Sequence, residues 1–199
     1  MAIDVNELIA WGAIAREYKK GEIIFLEGHE ARFYFQILTG QVRIFNITND
    51  GKEFTQSFFQ EGQSFGEPAL FIDRPYPASC IALCDTKILK MPASLFLAKF
   101  DEHPELFKPM IKLFAYRMFD KAETAREIIN NDPEKRILGF LRSMKMYHSE
   151  SPNIELQLVP YTRQEIANFI GLRVETVIRT LIKMNKKGLV KIENRKLYY

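Results

Sequence analysis

Glu175 and Arg179 have the residue types and the spacing that base recognition in DNA requires. They are four positions apart, which places both side chains on one face of an α-helix. In the major groove, an arginine can donate two hydrogen bonds to guanine O6 and N7, and a carboxylate can accept one from the N4 amino group of cytosine. The same spacing is typical of an ordinary surface ion pair, which contributes about 0.2–0.5 kcal/mol. The pair therefore indicates base recognition only if its helix belongs to a DNA-binding element.

Two short helices separated by a glycine are predicted around this pair. Thr162 and Glu165 are spaced as a capping box, which marks the start of the first helix. Gly171 follows where a tight turn needs a residue without a Cβ atom, and small Ala167, four positions earlier, allows a close crossing of the two helices. This arrangement is typical of a helix-turn-helix.

The second helix is predicted from about 174 to 185, with Gly188 as its C-cap. Its inward-facing residues are predicted to be Val177, Leu181 and Met184. Beyond it, the segments 189–193 and 196–199 alternate in hydrophobicity around two turn residues, which predicts a small hairpin, or wing.

The positive charge of the chain is concentrated in its last third. The net charge is +3 overall, but positions 131–199 hold 13 Lys and Arg against 7 Asp and Glu, whereas the rest of the chain holds 15 against 18. Such an asymmetry is expected if one end of the chain meets a polyanion, although a basic face is also common on a solvated surface. Together with the helix pair, it favours a nucleic-acid partner.

A long helix is predicted upstream, over 104–130. Apolar and small residues follow one another along this helix at alternating spacings of four and three, which is the heptad pattern of two packed helices. We call this stripe the seam, and it consists of Ile111, Ala115, Met118, Ala122, Ala125 and Ile129. Phe107, Met110 and Phe114 form a second stripe that can lie on the rest of the chain. The alternative is that the whole stripe is intramolecular core. The regularity of the seam favours a homodimer.

A domain boundary is predicted at Pro133, because proline cannot continue the long helix and restricts the residue before it. A shorter helix over 134–147 follows, then a polar loop over 148–153 and a short strand over 154–159. The last domain therefore comprises 131–199.

Short β-type runs separated by turn residues fill the region from about 18 to 91. The runs are 22–26, 33–38, 41–47, 54–59 and 87–91. Asn-Asp-Gly at 49–51 is a good hairpin turn, because these residue types tolerate a positive φ angle. Several short strands at spacings near ten residues predict an antiparallel barrel or sandwich.

The motifs along the chain resemble those of the catabolite activator, or Crp–Fnr, superfamily of transcriptional regulators. Thr162-Arg163-Gln164-Glu165-Ile166-Ala167 with Gly171, followed by Glu175-Thr176-Val177 and Arg179, is similar to its DNA-binding signature. Phe65-Gly66-Glu67-Pro68-Ala69-Leu70-Phe71 is similar to its phosphate-binding cassette, and the long helix to its dimerisation helix. The resemblance covers essentially the whole chain.

The resemblance implies an α+β fold with three parts. An N-terminal antiparallel β-roll of the cyclic-nucleotide-binding, jelly-roll type, with short flanking helices, would occupy 1–103 and sense an effector. The dimerisation helix would occupy 104–130, and a C-terminal winged helix-turn-helix domain would occupy 131–199. The expected function is that of a sequence-specific DNA-binding transcriptional regulator, active as a dimer on a pseudo-palindromic operator.

The resemblance also implies which residues bind DNA. Glu175 and Arg179 would contact base edges, while Arg163, Gln164 and Thr176 would contact phosphates. The catabolite-activator branch has Ser and Arg just before the glutamate, where this chain has Arg173 and Val174. Val174 can instead contact a thymine methyl group, so the preferred half-site can differ from that branch's. The predicted DNA-binding set is Arg163, Gln164, Arg173, Val174, Glu175, Thr176, Arg179 and Lys183.

The cassette departs from that of the cyclic-nucleotide-binding members, in which Arg-Ser follows Gly-Glu by about ten residues. Pro77 and Ala78 stand at those positions here, so the arginine that would pair with a buried cyclic phosphate is missing. We therefore do not expect cyclic AMP to bind. Either another small molecule binds, or the protein has no effector and the cassette only shapes a turn. The candidate effector-binding residues are Gly66, Glu67, Pro68, Ala69, Arg74, Lys121 and Thr124.

The sequence lacks the clusters of cysteine or histidine residues that an iron–sulfur cluster or a haem group would need as ligands. An iron–sulfur cluster needs about four cysteine thiolates, and only Cys80 and Cys84 are present. The two cysteines are four positions apart on a predicted strand, so their side chains would point to the same face. They would be either a redox pair or two buried, unreactive thiols. The three histidines are isolated in sequence, at 29, 103 and 148, which is more typical of surface residues than of haem ligands. We expect no metal site and no resident cofactor.

Two other function classes fit the sequence less well. A cupin-type metalloenzyme needs clustered histidines, but no two histidines lie within forty residues of each other, so we expect no enzymatic activity. A cyclic-nucleotide-binding module that acts through a protein partner would not need a helix-turn-helix.

The remaining expectations concern location and partners. The apolar runs are too short to span a membrane, the first residues do not resemble a signal peptide, and two cysteines fit a reducing cytoplasm. The expected partners are double-stranded DNA, a second copy of the chain and, by resemblance only, RNA polymerase.

Overall fold

The computed structural model describes residues 3–129, 131–148 and 156–199. The predicted loop over 148–153 and the first part of the predicted strand over 154–159 therefore lie almost entirely outside the described residues. The chain divides into two compact units, Met1–Ala115 and Tyr116–Tyr199. The division falls within the long helix, so that this helix contributes residues to both units.

Eight strands form the body of the first unit. They are β1 (Ile14–Tyr18), β2 (Ile23–Phe25), β3 (Phe33–Thr39), β4 (Gln41–Ile47), β5 (Glu53–Gln60), β6 (Ser64–Phe65), β7 (Ser79–Ala82) and β8 (Thr86–Pro92). A first sheet has the order β1-β8-β3-β6, a second has the order β2-β7-β4-β5, and every strand pair is antiparallel. The predicted antiparallel β-roll is confirmed.

The β4–β5 hairpin shows how local sequence sets the register. The Thr48 N–H donates to the Lys52 carbonyl oxygen at 2.8 Å, and Gly51 closes the turn with a φ angle of +78°. A side chain at this angle would be strained, so the Asn-Asp-Gly turn needs glycine at this position. The predicted hairpin is confirmed.

The interior of the roll is filled by aromatic side chains. Strand β3 directs Phe35 and Ile37 to this interior, where Phe65 stacks on Phe35 with ring centroids 5.2 Å apart. The Phe25 ring stacks on the Tyr76 ring at 3.8 Å. Aromatic rings bury a large apolar area, so this cluster contributes much of the hydrophobic stabilisation of the unit.

The opposite face of the first sheet is covered by helices. They are α1 (Val5–Ala10), α2 (Glu67–Phe71), α3 (Ala93–Glu102) and, after a 3₁₀ turn at Pro104–Leu106, the long helix α4 (Phe107–Ile129). Tyr34 of β3 stacks on Phe96 of α3 at 4.2 Å, and Met110 is buried in the same cluster. The predicted second stripe on the long helix is confirmed, because Phe107 and Phe114 also contact phenylalanines of this unit.

The second unit contains the end of α4, three further helices and a three-stranded sheet. The elements are α5 (Pro133–His148), β9 (Leu158–Val159), α6 (Arg163–Ile170), α7 (Val174–Lys186), β10 (Lys191–Glu193) and β11 (Lys196–Tyr198), with the sheet order β10-β11-β9. Ile137 of α5, Ile166 of α6 and Val177 of α7 are all fully buried. The predicted winged helix-turn-helix architecture is confirmed.

Candidate DNA-binding surface

Helix α6 begins at the predicted capping box. The Glu165 N–H donates to the Thr162 hydroxyl oxygen at 3.1 Å, and the Thr162 N–H donates to a Glu165 carboxylate oxygen at 2.6 Å. Two amides that would lack a helical partner are thereby satisfied, which fixes where α6 starts and the direction in which it leaves the chain.

The turn between α6 and α7 depends on Gly171, which adopts a left-handed conformation with a φ angle of +65°. Ala167 is buried, and the Leu172 N–H donates to its carbonyl oxygen at 3.1 Å. Arg136 of α5 donates to the Ile170 carbonyl oxygen at 3.2 Å, which satisfies one of the free carbonyls at the end of α6. These contacts hold α7 at a fixed angle to α6.

Helix α7 presents three rows of side chains, each with a spacing of three or four residues. The buried row consists of Val177, Leu181 and Met184, as predicted. The polar row consists of Glu175, Arg179 and Lys183, all exposed. The apolar row consists of Val174, Ile178 and Ile182, with Ile178 and Ile182 exposed by 43% and 49%. The polar and apolar rows lie side by side on the outward part of the helix.

The surface ion pair that the spacing alone permitted does not form. Within the described part of the chain, neither Glu175 nor Arg179 has an ion-pair partner. Lys183, one turn further along, is likewise without one among the described residues. Donors and acceptors on this row are therefore available to an external partner.

The other predicted DNA-binding residues lie around the start of the two helices. Arg173 is the N-cap of α7 and is exposed, while Thr176 is half-buried beside the polar row. Gln164 is exposed and donates from its amide to Asn168 at 2.7 Å. Their contacts with DNA stay predictions.

Arg163 takes a position that the sequence did not indicate. Its guanidinium donates to the Arg195 carbonyl oxygen at 3.4 Å, and partial burial lowers its pKa. Arg195 lies in the turn between β10 and β11, where both Asn194 and Arg195 have positive φ angles, as a two-residue hairpin turn requires. Arg163 thus connects α6 to the tip of the wing.

Two further contacts were not predicted, of which the first positions the wing and the second joins the end of α7 to α5. Asn185, near the end of α7, accepts a hydrogen bond from the Ile192 N–H of β10 at 2.8 Å. Lys187 forms an ion pair with Glu134 at the start of α5, at 2.7 Å. Lys191, Arg195 and Lys196 of the wing are exposed, so that a basic hairpin lies at the end of the helix pair.

The seam on α4 is exposed along its whole length. Met118 and Ile129 are exposed by 72% and 78%, and the remaining seam residues, Ile111, Ala115, Ala122 and Ala125, are exposed as well. The alternative that the seam is intramolecular core is therefore wrong for this chain. Tyr116 and Phe119 are also exposed beside the seam, which the sequence analysis did not predict.

The cassette residues form a tightly packed corner of the roll. Gly66 has a φ angle of +81° and precedes α2, and the Glu67 carboxylate, which is fully buried, accepts a hydrogen bond from the Ser64 hydroxyl at 2.5 Å. A Cβ atom at Gly66 would lie 3.3 Å from the Tyr76 ring. Ala69 is buried beneath the corner. The Glu67 carboxylate thus faces the protein interior.

The other candidate effector residues are more accessible. Pro68 and Arg74 are exposed on the first unit. Lys121 and Thr124 lie on α4 in the second unit, where Lys121 is exposed and Thr124 is half-buried. Their role in binding an effector stays a prediction.

Tyr76 directly precedes Pro77, which stands where the cyclic-nucleotide-binding members of the resembled superfamily carry arginine. Its hydroxyl donates to the Phe33 carbonyl oxygen at 3.1 Å, and its ring covers Phe25. Burial raises the pKa of Tyr76 to about 12. The hydroxyl is therefore neutral at physiological pH and serves as a buried hydrogen-bond donor.

The prediction that Cys80 and Cys84 share one strand face is wrong. Strand β7 ends at Ala82, and the chain bends before it reaches Cys84. Cys80 is buried in the roll, where burial raises the pKa of its thiol, whereas Cys84 is exposed. The described residues contain no group of three metal-ligating side chains, and none of their helices is long and apolar enough to cross a membrane.

Two family models match the chain. The cyclic nucleotide-binding domain matches residues 15–103, and the Crp-like helix-turn-helix domain matches residues 135–198. Among curated proteins, the chain is 24% identical to the transcriptional activator protein anr of Pseudomonas aeruginosa, over 98% of this chain and 78% of that protein. It is 26% identical to the fumarate and nitrate reduction regulatory protein of Vibrio cholerae, over 89% of this chain and 71% of that protein.

Solved structures share the fold. FixK2 from Bradyrhizobium japonicum superposes with a TM-score of 0.81 at 21% identity, covering 94% of this chain and 91% of FixK2. A CooA mutant from Carboxydothermus hydrogenoformans gives a TM-score of 0.79 at 22% identity, covering 99% and 87% of the two chains. The matched domains, their order and the helix-turn-helix geometry agree, and the chain belongs to the Crp–Fnr family of DNA-binding transcriptional regulators.

Proposed function

We propose that the chain is a homodimer that binds a pseudo-palindromic operator and places α7 of each subunit in the major groove. The observation that carries the proposal is the polar row of α7. Glu175, Arg179 and Lys183 are exposed and lack ion-pair partners among the described residues, while the opposite side of the helix is buried. A row of this composition can form hydrogen bonds with base edges and a phosphate.

The dimer in this proposal forms along the seam. An exposed stripe that includes Ile111, Met118 and Ile129 is unfavourable in water, and a second copy can cover it, because its spacing is that of packed helices. The small residues between them, such as Ala122, allow the two helices to approach closely. A two-fold axis along α4 would place the two α7 helices in successive major grooves, about 34 Å apart.

We propose that cyclic AMP does not control this protein. Pro77 and Ala78 replace the Arg-Ser pair, and the buried Glu67 carboxylate is engaged by Ser64. The Tyr76 ring packs against Phe25 at 3.8 Å, so aromatic contacts fill this part of the roll. The effector, if one exists, differs in chemistry from a cyclic nucleotide.

The proposal extends to partners and location on the basis of the family alone. A regulator of this kind acts in the cytoplasm, where it contacts DNA and RNA polymerase, and has no enzymatic activity. The alternative, a nucleotide-binding module that acts through a protein partner, leaves the polar row of α7 without a role.

The test is selection of duplexes from a random library by the purified full-length chain. We expect enrichment of one sequence with two inverted half-sites, and an affinity that falls steeply as salt concentration rises, by about 0.9 log units per log unit of salt for each phosphate neutralised. Calorimetric titration with cyclic AMP is expected to give no binding. Failure to enrich any sequence would contradict DNA recognition, and saturable cyclic AMP binding would contradict the effector part.

A further inference from the structure

The two isoleucines in the apolar row of α7 have no role in the contacts described so far, whereas Val174 of the same row is already predicted to contact a thymine methyl group. Val174, Ile178 and Ile182 are spaced by four residues, so they form a line along the helix, next to the line of Glu175, Arg179 and Lys183. Ile178 and Ile182 are among the exposed large apolar residues of the second unit, and they lie away from the buried row. Two neighbouring exposed isoleucines on an outward helix face would be stabilised by an apolar partner surface that covers them.

The major groove offers one apolar group, the 5-methyl group of thymine. We infer that Ile178 and Ile182 contact thymine methyl groups beside the base pair that Arg179 contacts. This inference rests on the proposed function, in which α7 lies in the major groove. The polar row then recognises a guanine by hydrogen bonds, while the adjacent row selects thymine by burying its methyl group. The chain thus requires an operator half-site that carries thymine next to guanine.

The arrangement of the rows supports this pairing of functions. Ile178 directly precedes Arg179, and Ile182 is three residues after Arg179, which brings both isoleucines within one helical turn of this polar-row residue. A cytosine in place of thymine lacks the methyl group and presents an amino group instead of a carbonyl oxygen at the same edge. An isoleucine can pair neither with that amino group nor with the thymine carbonyl oxygen, so the preference for thymine comes from burial of its methyl group.

The experiment uses the full-length chain and the duplex enriched by selection. Each thymine of one half-site, and its symmetry mate, is replaced in turn by uracil, which lacks only the methyl group. We expect at least one replacement to weaken wild-type binding about fourfold per half-site, the effect of one buried methyl group. In Ile178→Ala or Ile182→Ala, the same replacement should have no further effect. Leu158→Ala, which removes an exposed apolar residue of β9, is the matched control and should keep the uracil effect.

The outcomes separate this inference from the proposed function. If every uracil replacement leaves wild-type affinity unchanged while the protein still prefers its selected sequence, the inference is overturned and the function stands. The inference is also overturned if the uracil effect persists in both isoleucine variants, because the methyl group is then contacted elsewhere. If the chain enriches no sequence, the proposed function fails, and the inference fails with it.

Discussion

Arg163 has a contact in the structure that does not depend on base sequence. Its guanidinium donates to the Arg195 carbonyl oxygen in the wing, and partial burial lowers its pKa. The family resemblance assigns it a phosphate contact, and the two roles are compatible, because the guanidinium group has five N–H donors. Neither role brings Arg163 to a base edge.

We expect Arg163→Ala to weaken binding to the selected duplex and to a scrambled duplex by the same factor. A loss of about 1.5–3 kcal/mol is expected, the contribution of hydrogen bonds made by a charged group. Titrations of both duplexes measure the two affinities and their ratio. Lys20→Ala, which removes one exposed charge from the first unit, is the control and should change neither affinity appreciably. A changed ratio would show that Arg163 contributes to sequence discrimination.

Tyr76 gives the first unit a pH-dependent stability. Burial raises its folded-state pKa to about 12, above the ordinary value of 10.0. The folded state therefore holds this proton more tightly than the unfolded state does. The stabilisation is complete below pH 10 and is lost as the pH rises through about 12.

We expect Tyr76→Phe to reduce the fall in Tm between pH 10 and pH 12, relative to wild type. At pH 7 the variant should be less stable, by about 1 kcal/mol, because the hydrogen bond to the Phe33 carbonyl is lost. Scanning calorimetry of the full chain across this pH range measures both effects. Tyr198→Phe, in the second unit, should follow the wild-type curve; an unchanged curve for Tyr76→Phe would contradict the assignment.

At the scale of the element, the start of α6 depends on the capping box. Removing the Thr162 hydroxyl leaves the Glu165 N–H, in the first turn of α6, without its hydrogen-bond acceptor. We expect Thr162→Ala to destabilise α6 by about 0.5–2 kcal/mol. Hydrogen exchange of the α6 amides measures this free energy locally. Thr162→Ser keeps a hydroxyl group and should retain most of the protection, and equal protection in the alanine and wild-type chains would contradict the role of the cap.

The elements that the sequence predicted well are those with a strong periodic pattern or a capping signal. The helices α6 and α7 and the hairpin β4–β5 fall in this class. Strand β1 was not predicted, because all its residues except Tyr18 are exposed, so no alternation between buried and exposed positions marks it. Helix α2 has only five residues, which is too short for a helical period to be recognised.

The candidate surface was predictable only in part for a similar reason. The polar row of α7 was visible because charged residues four positions apart are informative on a helix. Ile178, Ile182 and Phe119 were not predicted, because apolar residues in an amphipathic helix are assigned to the core unless the fold shows them exposed. Cys84 was misplaced because nothing in the sequence indicated that β7 ends two residues before it.

At the scale of the whole molecule, the proposal requires two copies of the chain. One α7 helix contacts only one half-site, and linking two such helices raises the affinity for a pseudo-palindrome without any new contact to DNA. The seam supplies this link, since its six residues are exposed in the single chain. Operator binding and dimerisation are therefore expected to be lost together.

We expect Ala122→Glu to yield monomers, because a carboxylate at the centre of the seam cannot be buried unpaired between two helices. Affinity for the full operator should fall by about 10²–10⁴-fold, the usual gain from bivalent binding. Sedimentation measures the mass, and titration measures the affinity. Ala98→Glu introduces the same charge at an exposed position of α3 and should leave the dimer intact. A dimer that persists in Ala122→Glu would show that the interface lies elsewhere.

The affinity of Arg179→Ala for the selected duplex, and for duplexes with each base pair of one half-site exchanged, tests the central claim most directly. If α7 lies in the major groove with its polar row towards the bases, the variant loses about 1–3 kcal/mol on the selected duplex and no longer distinguishes one base pair per half-site, while discrimination at the other positions remains. If Arg179→Ala discriminates at every position as the wild-type chain does, α7 is not the helix that contacts the bases.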